Sequence, residues 1–325
     1  MLHALTSIFA QQGSGGYKWM PERASSYASE VDWAFNFVYW LSVFFFALIV
    51  ILTVVFAIKY RRRPGVEPDN SITHNTKLEV FWSVVPLGLV VVIFWIGFSG
   101  FVDMRTFPKD AMVVKVHAKM WSWTFEYPNG VESTVLHVPL GKKVKLRMDS
   151  EDVLHSFWVP AFRVKQDVVP GRYTYLWFEA IKTGTFPVLC TEYCGAGHSN
   201  MLTTVEVQEP AAFEAWLEEE GSGKNLSPVE RGKKVFNLKG CAGCHTTSKD
   251  KKKLVGPPLY GVFGHDVPLL NGKKVLADEN YLRESILDPN AKIVKGFTSP
   301  SLMSVIPLKD KELDALIEYL KSLKD

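Results

Sequence analysis

The sequence predicts a multidomain membrane protein that combines a two-helix transmembrane hairpin, an all-β sandwich and an all-α domain. Two long uncharged apolar runs lie before residue 103. Strand-like segments fill the stretch from Ala111 to Gln208, and amphipathic helical patterns follow Ser227. We expect an N-terminal segment over 1–32, the hairpin over 33–103, the β domain over 104–208, a linker over 209–226 and the α domain over 227–325.

The hairpin is indicated by the runs Trp33–Ile58 and Val80–Val102, neither of which contains a charged residue. Each exceeds the roughly 20 residues that a helix needs to cross a bilayer, which disfavours the alternative of a buried helix in a soluble protein. Pro86 lies inside the second run, where neighbouring helices can accommodate a kink. Basic residues between the runs place that loop in the cytoplasm by the positive-inside rule, so both flanking parts lie outside. The basic residues are Lys59, Arg61, Arg62 and Arg63.

The β domain is predicted from short runs in which apolar, β-branched and aromatic residues alternate with polar ones. Turn signals at Pro128-Asn129-Gly130 and Pro170-Gly171 separate these runs. Several short strands in about a hundred residues favour a Greek-key sandwich. The clearest runs are Met112–His117, Lys143–Met148, Tyr173–Phe178 and Leu202–Val207.

Two cysteines, two histidines and a methionine stand in a pattern typical of a metal site. The segment Cys190-Thr-Glu-Tyr-Cys194-Gly-Ala-Gly-His198-Ser-Asn-Met201 follows His155 by 35 residues. Sulfur and imidazole ligands select copper or zinc, and a single blue-copper ion needs only one cysteine, so the second one favours a pair of coppers. A disulfide and a zinc ion are the alternatives; zinc prefers closed Cys/His ligation and has no use for methionine.

The other two of the four cysteines indicate a haem. They stand in Cys241-Ala-Gly-Cys244-His245, the spacing of c-type haem attachment, although a thioredoxin-like pair shares the Cys-x-x-Cys spacing. The segment Ser227–Glu230 predicts a helix start, with a capping serine, a proline and an early acid. Met303 precedes an amphipathic helix predicted over 311–323 and is the expected second iron ligand, with His265 as the alternative.

The first motif resembles the binuclear copper (CuA) loop of subunit II of the haem-copper oxidases. The second, with Met303 and the closing helix, resembles a class I cytochrome c. Together they are similar to the caa type of oxidase, in which cytochrome c is fused to subunit II. This resemblance covers nearly the whole chain from about Asp32 onward and implies that the β domain is a cupredoxin.

The resemblance implies a role for each ligand. Cys190 and Cys194 would bridge the two coppers, and His155 and His198 would each bind one. Met201 would be a weak axial ligand, Glu192 would offer its backbone carbonyl, and the Glu192 carboxylate would reach a magnesium ion shared with subunit I. In the haem domain, Pro257 would accept a hydrogen bond from the His245 ring. One departure is that Ser304, rather than the proline of many relatives, follows Met303.

Two further positions gain a role only from the resemblance. Trp121 matches the place where electrons reach the copper site from cytochrome c; otherwise Trp121 and Trp123 would be packing aromatics at a strand edge. Glu79, near the cytoplasmic mouth of the second span, matches the glutamate at the mouth of the K proton channel. The alternative for Glu79 is an ordinary interfacial carboxylate.

The sequence thus predicts the subunit that accepts electrons for a proton-translocating terminal oxidase of a bacterial cell membrane. Electrons would pass from a donor, such as a cytochrome or a quinol-oxidising complex, through haem c and the copper pair to subunit I, where oxygen is reduced. The lysine run at Lys249 and 251–253 would be either a solvated loop or a docking face for an acidic donor. Other oxidase subunits and lipid are expected partners, and nucleic acid is not. The alternative is the equivalent subunit of a CuA-containing nitric oxide reductase.

Overall fold

The computed structural model describes residues 20–65, 74–222, 226–250 and 254–324. Most of the predicted N-terminal segment therefore lies outside the described residues. The chain divides into two compact units, one over Tyr27–Pro108 and one over Lys109–Asp325 together with Met1–Ser26.

The first unit is a pair of long helices, α1 (Ala28–Lys59) and α2 (Thr76–Arg105). Their most apolar windows have mean hydropathies of 3.1 and 2.4, and no residue in either window is buried within the protein. Both helices are long enough to cross a bilayer, which confirms the predicted hairpin. Asn75 caps α2 by accepting a hydrogen bond from the Leu78 N–H, and Pro86 lies inside this helix.

The second unit begins with a sandwich of two five-stranded sheets, which confirms the predicted β domain. One sheet has the order β3-β2-β1-β5-β8 and the other has the order β4-β10-β9-β6-β7. Each contains one parallel pair, β1 with β5 and β4 with β10. The strands are β1 (Met112–Lys119), β2 (Ser122–Glu126), β3 (Glu132–Ser133), β4 (Leu136–Pro139), β5 (Lys143–Ser150), β6 (His155–Val159), β7 (Val164–Val168), β8 (Thr174–Glu179), β9 (Gly184–Cys190) and β10 (Leu202–Gln208).

Buried side chains that alternate with partly exposed ones along strands such as β5 build the core of this sandwich. In β5, every second residue from Val144 to Ser150 is buried, because successive side chains point to opposite faces of a sheet. Aromatic rings fill the space between the sheets, and Phe157 of β6 packs edge-on against both Trp123 and Phe125 of β2. This packing joins β6 to β2 across the core.

Part of the predicted linker is a helix, α3 (Pro210–Ser222), that packs on the sandwich. Phe213 is buried and lies against Tyr127, while the Trp216 ring stacks on His137 with centroids 3.9 Å apart. By composition, residues 221–225 of the predicted linker (209–226) are expected to form a flexible tether. Gly221 and Ser222 instead extend the helix, and residues 223–225 lie outside the described residues.

The last domain is helical with one added ribbon. Its helices are α4 (Pro228–Leu238), α5 (Glu279–Leu287) and α6 (Asp310–Ser322), and its two-stranded ribbon is β11 (Asp266–Pro268) with β12 (Lys274–Leu276). The predicted start of α4 is confirmed as a capping box between Ser227 and Glu230. α4 crosses α6 at Gly232, where a β-carbon would lie 1.9 Å from the Ala315 carbonyl oxygen.

Candidate copper and haem sites

The two strands that frame the copper motif hold it at one end of the sandwich. β9 ends at Cys190 and β10 begins at Leu202, so the intervening copper loop (191–201) joins them. The Cys190 N–H donates to the Met201 carbonyl across the base of this loop. β6 pairs with β9, with Phe157 opposite Cys190. This pairing brings His155, the first residue of β6, to the loop.

The two thiols and the two imidazoles converge at this end of the sandwich. The sulfur atoms of Cys190 and Cys194 lie 3.7 Å apart. Nδ1 of His155 lies 3.9 Å from the Cys190 sulfur, and Nδ1 of His198 lies 3.4 Å from the Cys194 sulfur. Each sulfur therefore has one imidazole nitrogen beside it, which is the pairing that two bridged ions require.

Two weaker donors complete the set. The Met201 sulfur lies 3.8 Å from that of Cys194, and the Cys190 thiol donates to the Glu192 carbonyl at 3.3 Å. Both cysteines are free thiols, so the alternative of a disulfide is not formed. A thioether and a carbonyl beside thiols and imidazoles suit copper, whereas a structural zinc ion takes four tetrahedral ligands. The residues present fit a copper pair.

The two thiols differ in how readily they ionise. Burial opposes ionisation of Cys190, but hydrogen bonds from His155 and from nearby backbone groups lower its pKa below that of a free thiol. Burial and the neighbouring Cys190 thiolate raise the pKa of Cys194. Two buried thiolates in contact repel each other, and a cation bound between them would favour ionisation of both.

His155 is oriented by a carboxylate that the sequence analysis missed. Its Nε2 lies 2.9 Å from Oδ1 of Asp152, which leaves Nδ1 facing Cys190. Asp152 also accepts hydrogen bonds from the backbone N–H groups of Met120 and Val153. Burial alone would lower the pKa of His155, but the bonds to Asp152 and Cys190 raise it to about 9. Metal-binding histidines commonly have such a carboxylate hydrogen-bonded to the ring nitrogen that does not bind the metal.

Trp121 lies against the copper loop. Its indole Nε1–H donates to the carbonyl of Cys194 at 2.9 Å, and only 9% of the residue is exposed. The ring covers Gly197 so closely that a β-carbon there would lie 2.3 Å from the indole. Trp123, two residues later, points into the core, with its ring centroid 6.1 Å from that of His155. Trp121 therefore contacts the copper loop, and Trp123 packs behind it.

The haem motif forms a short 3-10 turn, Cys241–Gly243, directly after α4. Burial raises the pKa of Cys241 to about 11 and also raises the pKa of Cys244, so both stay protonated thiols at neutral pH. The His245 ring lies against Gly256, where a β-carbon would be 2.5 Å from it. His245 Nδ1 donates to the Pro257 carbonyl at 2.8 Å, which leaves Nε2 free of a proton as a ligand requires.

A cavity in this domain places Met303 with the haem motif. It is lined by Cys244, His245, Pro257 and Met303, together with apolar side chains that include Phe297. An apolar cavity with a histidine and a methionine on its walls fits a haem. The alternative ligand, His265, is exposed and lies beside the Phe263 carbonyl, outside the residues that line this cavity.

Glu79 lies in the first turn of α2, in the unit that contains the hairpin. Its carboxylate accepts a hydrogen bond from the Asn75 N–H at 3.3 Å, while Asn75 accepts one from Leu78. This reciprocal pair caps the helix, a structural use that the sequence analysis did not foresee.

Models of three known domain families match the chain. Residues 12–101 match the cytochrome c oxidase subunit II transmembrane domain, residues 130–208 match the periplasmic domain of the same subunit, and residues 229–324 match cytochrome c. The three families follow one another in the order that the resemblance implied. The matched domain families confirm the predicted haem and copper. They also confirm anchoring in the membrane with the soluble domains on the outer side.

Relatives extend this match over most of the chain. This chain is 33% identical to cytochrome c oxidase subunit 2 of Alkalihalophilus pseudofirmus over 303 residues, which cover 87% of this chain and 85% of the relative. It is 31% identical to that of Bacillus sp. strain PS3 over 291 residues, 82% of this chain and 80% of the relative. The crystal structure of the periplasmic domain of subunit II of cytochrome oxidase of Bradyrhizobium japonicum is 31% identical, with a TM-score of 0.35 over 37% of this chain and 100% of that one.

These findings confirm the prediction of an oxidase subunit and give no support to the nitric oxide reductase alternative. The copper-domain match, the haem-domain match and the apolar hairpin all lie in one chain. The chain therefore belongs to the cytochrome c oxidase subunit II family, as a member in which a cytochrome c domain follows the copper domain.

Proposed function

We propose that this chain relays single electrons from an external donor toward the oxygen-reducing subunit I of a terminal respiratory oxidase. One observation carries the proposal: the copper ligands and the haem cavity belong to the same compact unit of the chain. When bound, the copper pair and the haem iron supply two one-electron redox couples. The protein residues hold these groups, orient their ligands and exclude water.

At the copper site, we assign Cys190 and Cys194 as bridging ligands, with His155 and His198 each on one copper. Met201 and the Glu192 carbonyl are the weak ligands. The burial of His155, both cysteines and Met201 supports this assignment, because a dry and rigid site limits the rearrangement of ligands when its charge changes. Asp152 holds the His155 ring in place through Nε2.

At the haem site, we propose that Cys241 and Cys244 form thioether bonds to the porphyrin. His245 would be one iron ligand, held by Pro257, and Met303 the other. Support comes from the shared cavity and from the hydrogen bond that fixes the His245 tautomer. A methionine opposite a histidine raises the reduction potential and favours electron transfer over oxygen binding.

We also propose roles for two carboxylates. The Glu192 carboxylate, in the copper loop between Cys190 and Cys194, would reach a magnesium ion at the boundary with subunit I. Glu79 would lie at the mouth of a proton channel of the assembled oxidase. Its hydrogen bond to Asn75 supports a fixed position for the carboxylate at the end of α2.

The remaining partners follow from the domains. Subunit I and other oxidase subunits would surround the hairpin together with lipid. The donor, a cytochrome or a quinol-oxidising complex, would approach the haem domain. Lys249 lies over the Tyr260 ring in that domain, while residues 251–253 of the lysine run lie outside the described residues. The domain limits 33–103, 104–208, 209–226 and 227–325 stay our working division of the chain.

Electron paramagnetic resonance of the purified full chain, with copper and haem quantitation, tests the proposal. Two coppers and one covalent haem per chain are expected, with hyperfine structure from one electron shared over both coppers. Cys194→Ser should abolish the shared signal and leave the haem content unchanged. One copper, or a shared signal that survives Cys194→Ser, would contradict the bridging assignment.

A further inference from the structure

The segment that carries Met303 lies outside the helices and strands of the haem domain. Among the described residues, 298–308 form no hydrogen bond between backbone groups, and Leu302 and Val305 are 72% and 66% exposed. Ser304 follows Met303, so no proline ring restricts the backbone directly after the proposed ligand. A segment of this kind opens readily unless side chains hold it, because few buried contacts and few hydrogen bonds oppose its opening.

Two side-chain hydrogen bonds hold this segment. Oδ1 of Asn290 accepts a hydrogen bond from the Ser301 N–H at 2.9 Å. The Ser301 hydroxyl oxygen in turn accepts one from the Met303 N–H at 3.2 Å, which closes a serine turn over the residue between them. We call this pair of hydrogen bonds the methionine clamp (Asn290, Ser301 and Met303).

The methionine clamp starts from a turn that follows α5. Asp288 closes this turn, because its carbonyl accepts from the Ala291 N–H at 3.1 Å and its Oδ1 accepts from the Asn290 N–H at 3.3 Å. A few residues later, the Ile293 carbonyl accepts from the N–H of Leu270, in the turn of the two-stranded ribbon. Asn290 is therefore fixed from both directions along the chain, and its side chain offers a stationary acceptor.

The methionine clamp also joins two parts of the wall of the haem cavity. Pro289, directly before Asn290, is buried and lines the cavity, and both Ser301 and Met303 line it as well. His245, the other proposed iron ligand, lines the same cavity and is fixed by its own hydrogen bond. The clamp gives the methionine side of the cavity a comparable fixation.

We propose that Asn290 and Ser301 are positioning residues for Met303 as an iron ligand. Asn290 holds the Ser301 backbone, and the Ser301 hydroxyl holds the Met303 backbone, so the thioether stays at the cavity. This inference rests on the proposed ligation of the iron by Met303. Without the clamp, the segment spends more time away from the cavity, and the position that the thioether fills is open to other ligands.

Carbon monoxide binding to the reduced, haem-loaded full chain tests the clamp, because carbon monoxide reaches the iron only after the methionine has left it. Ser301→Ala and Asn290→Ala each remove one hydrogen bond, which should raise the open fraction and the rate of carbon monoxide binding about fivefold. Asn290→Asp keeps an acceptor oxygen and should bind carbon monoxide at the parent rate. Ser304→Ala is the matched control, since Ser304 is exposed and takes no part in the clamp.

A variant at a distant contact separates positioning from loss of stability. Gly232→Ala overpacks the crossing of α4 and α6 and does not touch the clamp, so it should leave the rate of carbon monoxide binding unchanged. Parent rates in both Ser301→Ala and Asn290→Ala would overturn the proposal. Equal acceleration in Ser304→Ala or in Gly232→Ala would overturn it as well, because the effect would then not be specific to the clamp.

Met303→Ala distinguishes failure of the clamp from failure of the proposed ligation. If Met303→Ala binds carbon monoxide at the parent rate, Met303 is not the ligand, and the proposed haem site fails together with the clamp. If Met303→Ala accelerates binding while Ser301→Ala and Asn290→Ala do not, the ligand assignment stands and the clamp alone is refuted.

Discussion

Asp152 gives the sharpest test of how the copper site is held. Its Oδ1 faces His155 Nε2 and the Val153 N–H, and its Oδ2 accepts from the Met120 N–H. In Asp152→Asn, one of these oxygens becomes an NH2 group. Either orientation of the amide then sets a donor against a donor or leaves the His155 ring without its acceptor. We therefore expect copper affinity to fall about tenfold for Asp152→Asn and about a hundredfold for Asp152→Ala.

These losses correspond to about 1.4 and 2.7 kcal/mol of binding free energy. Competition between the protein and a copper chelator of known affinity measures them directly. Asp167→Asn is the control, because Asp167 accepts hydrogen bonds from Ser156 and Lys165 and does not contact His155. Copper affinity within twofold of the parent in both Asp152 variants, with the fold intact by circular dichroism, would refute the reasoning.

Three other outcomes are expected. Gly232→Ala should lower the free energy of unfolding of the haem domain by about 1–3 kcal/mol, because the added carbon overpacks the contact with Ala315; thermal melting measures it. Copper affinity should rise with pH through pH 9, because below about pH 9 the metal must displace a proton from His155, and the raised pKa of Cys194 leaves a further proton to displace above it; titration at several pH values tests the slope. Met303→Ala should lower the haem potential and open the iron to carbon monoxide, whereas His265→Ala should change neither; unchanged spectra in Met303→Ala would contradict the ligand assignment.

The grouping of the proposed copper ligands was largely predictable because most of them are close in sequence. Cys194, His198 and Met201 lie in the copper loop and Cys190 directly precedes it at the end of β9, so only His155 comes from elsewhere. Asp152 was not predictable, because Asp149, Glu151 and Asp152 all precede His155 and only the loop's path decides which of them reaches Nε2.

The haem domain shows a different limit of prediction from sequence. The attachment motif, the capped start of α4 and the closing helix all carry local signals, and the closing helix begins at Asp310, one residue before the predicted start. The close approach of Gly243 to Trp121 joins residues more than a hundred positions apart and leaves no local pattern. In the same way, the sequence of α3 is helix-like over Phe213–Glu220, but its packing on His137 and Tyr127 joins distant positions and could not be predicted.

The packing of α3 on the copper domain has a consequence for how far the haem domain can move. Only three residues separate Ser222, at the end of α3, from Leu226, so this stretch spans at most about 14 Å when fully extended. Lys234 of α4 also pairs with Glu220 of α3. If the haem domain were released from the segment that carries Trp121, it would stay within a small volume and return to the same segment. Lengthening the stretch fourfold would weaken re-docking by only about 1.2 kcal/mol, since closure entropy grows with the logarithm of length. The contact between Gly243 and Trp121 should therefore tolerate insertions between Ser222 and Leu226 far better than it tolerates a bulky side chain at Gly243.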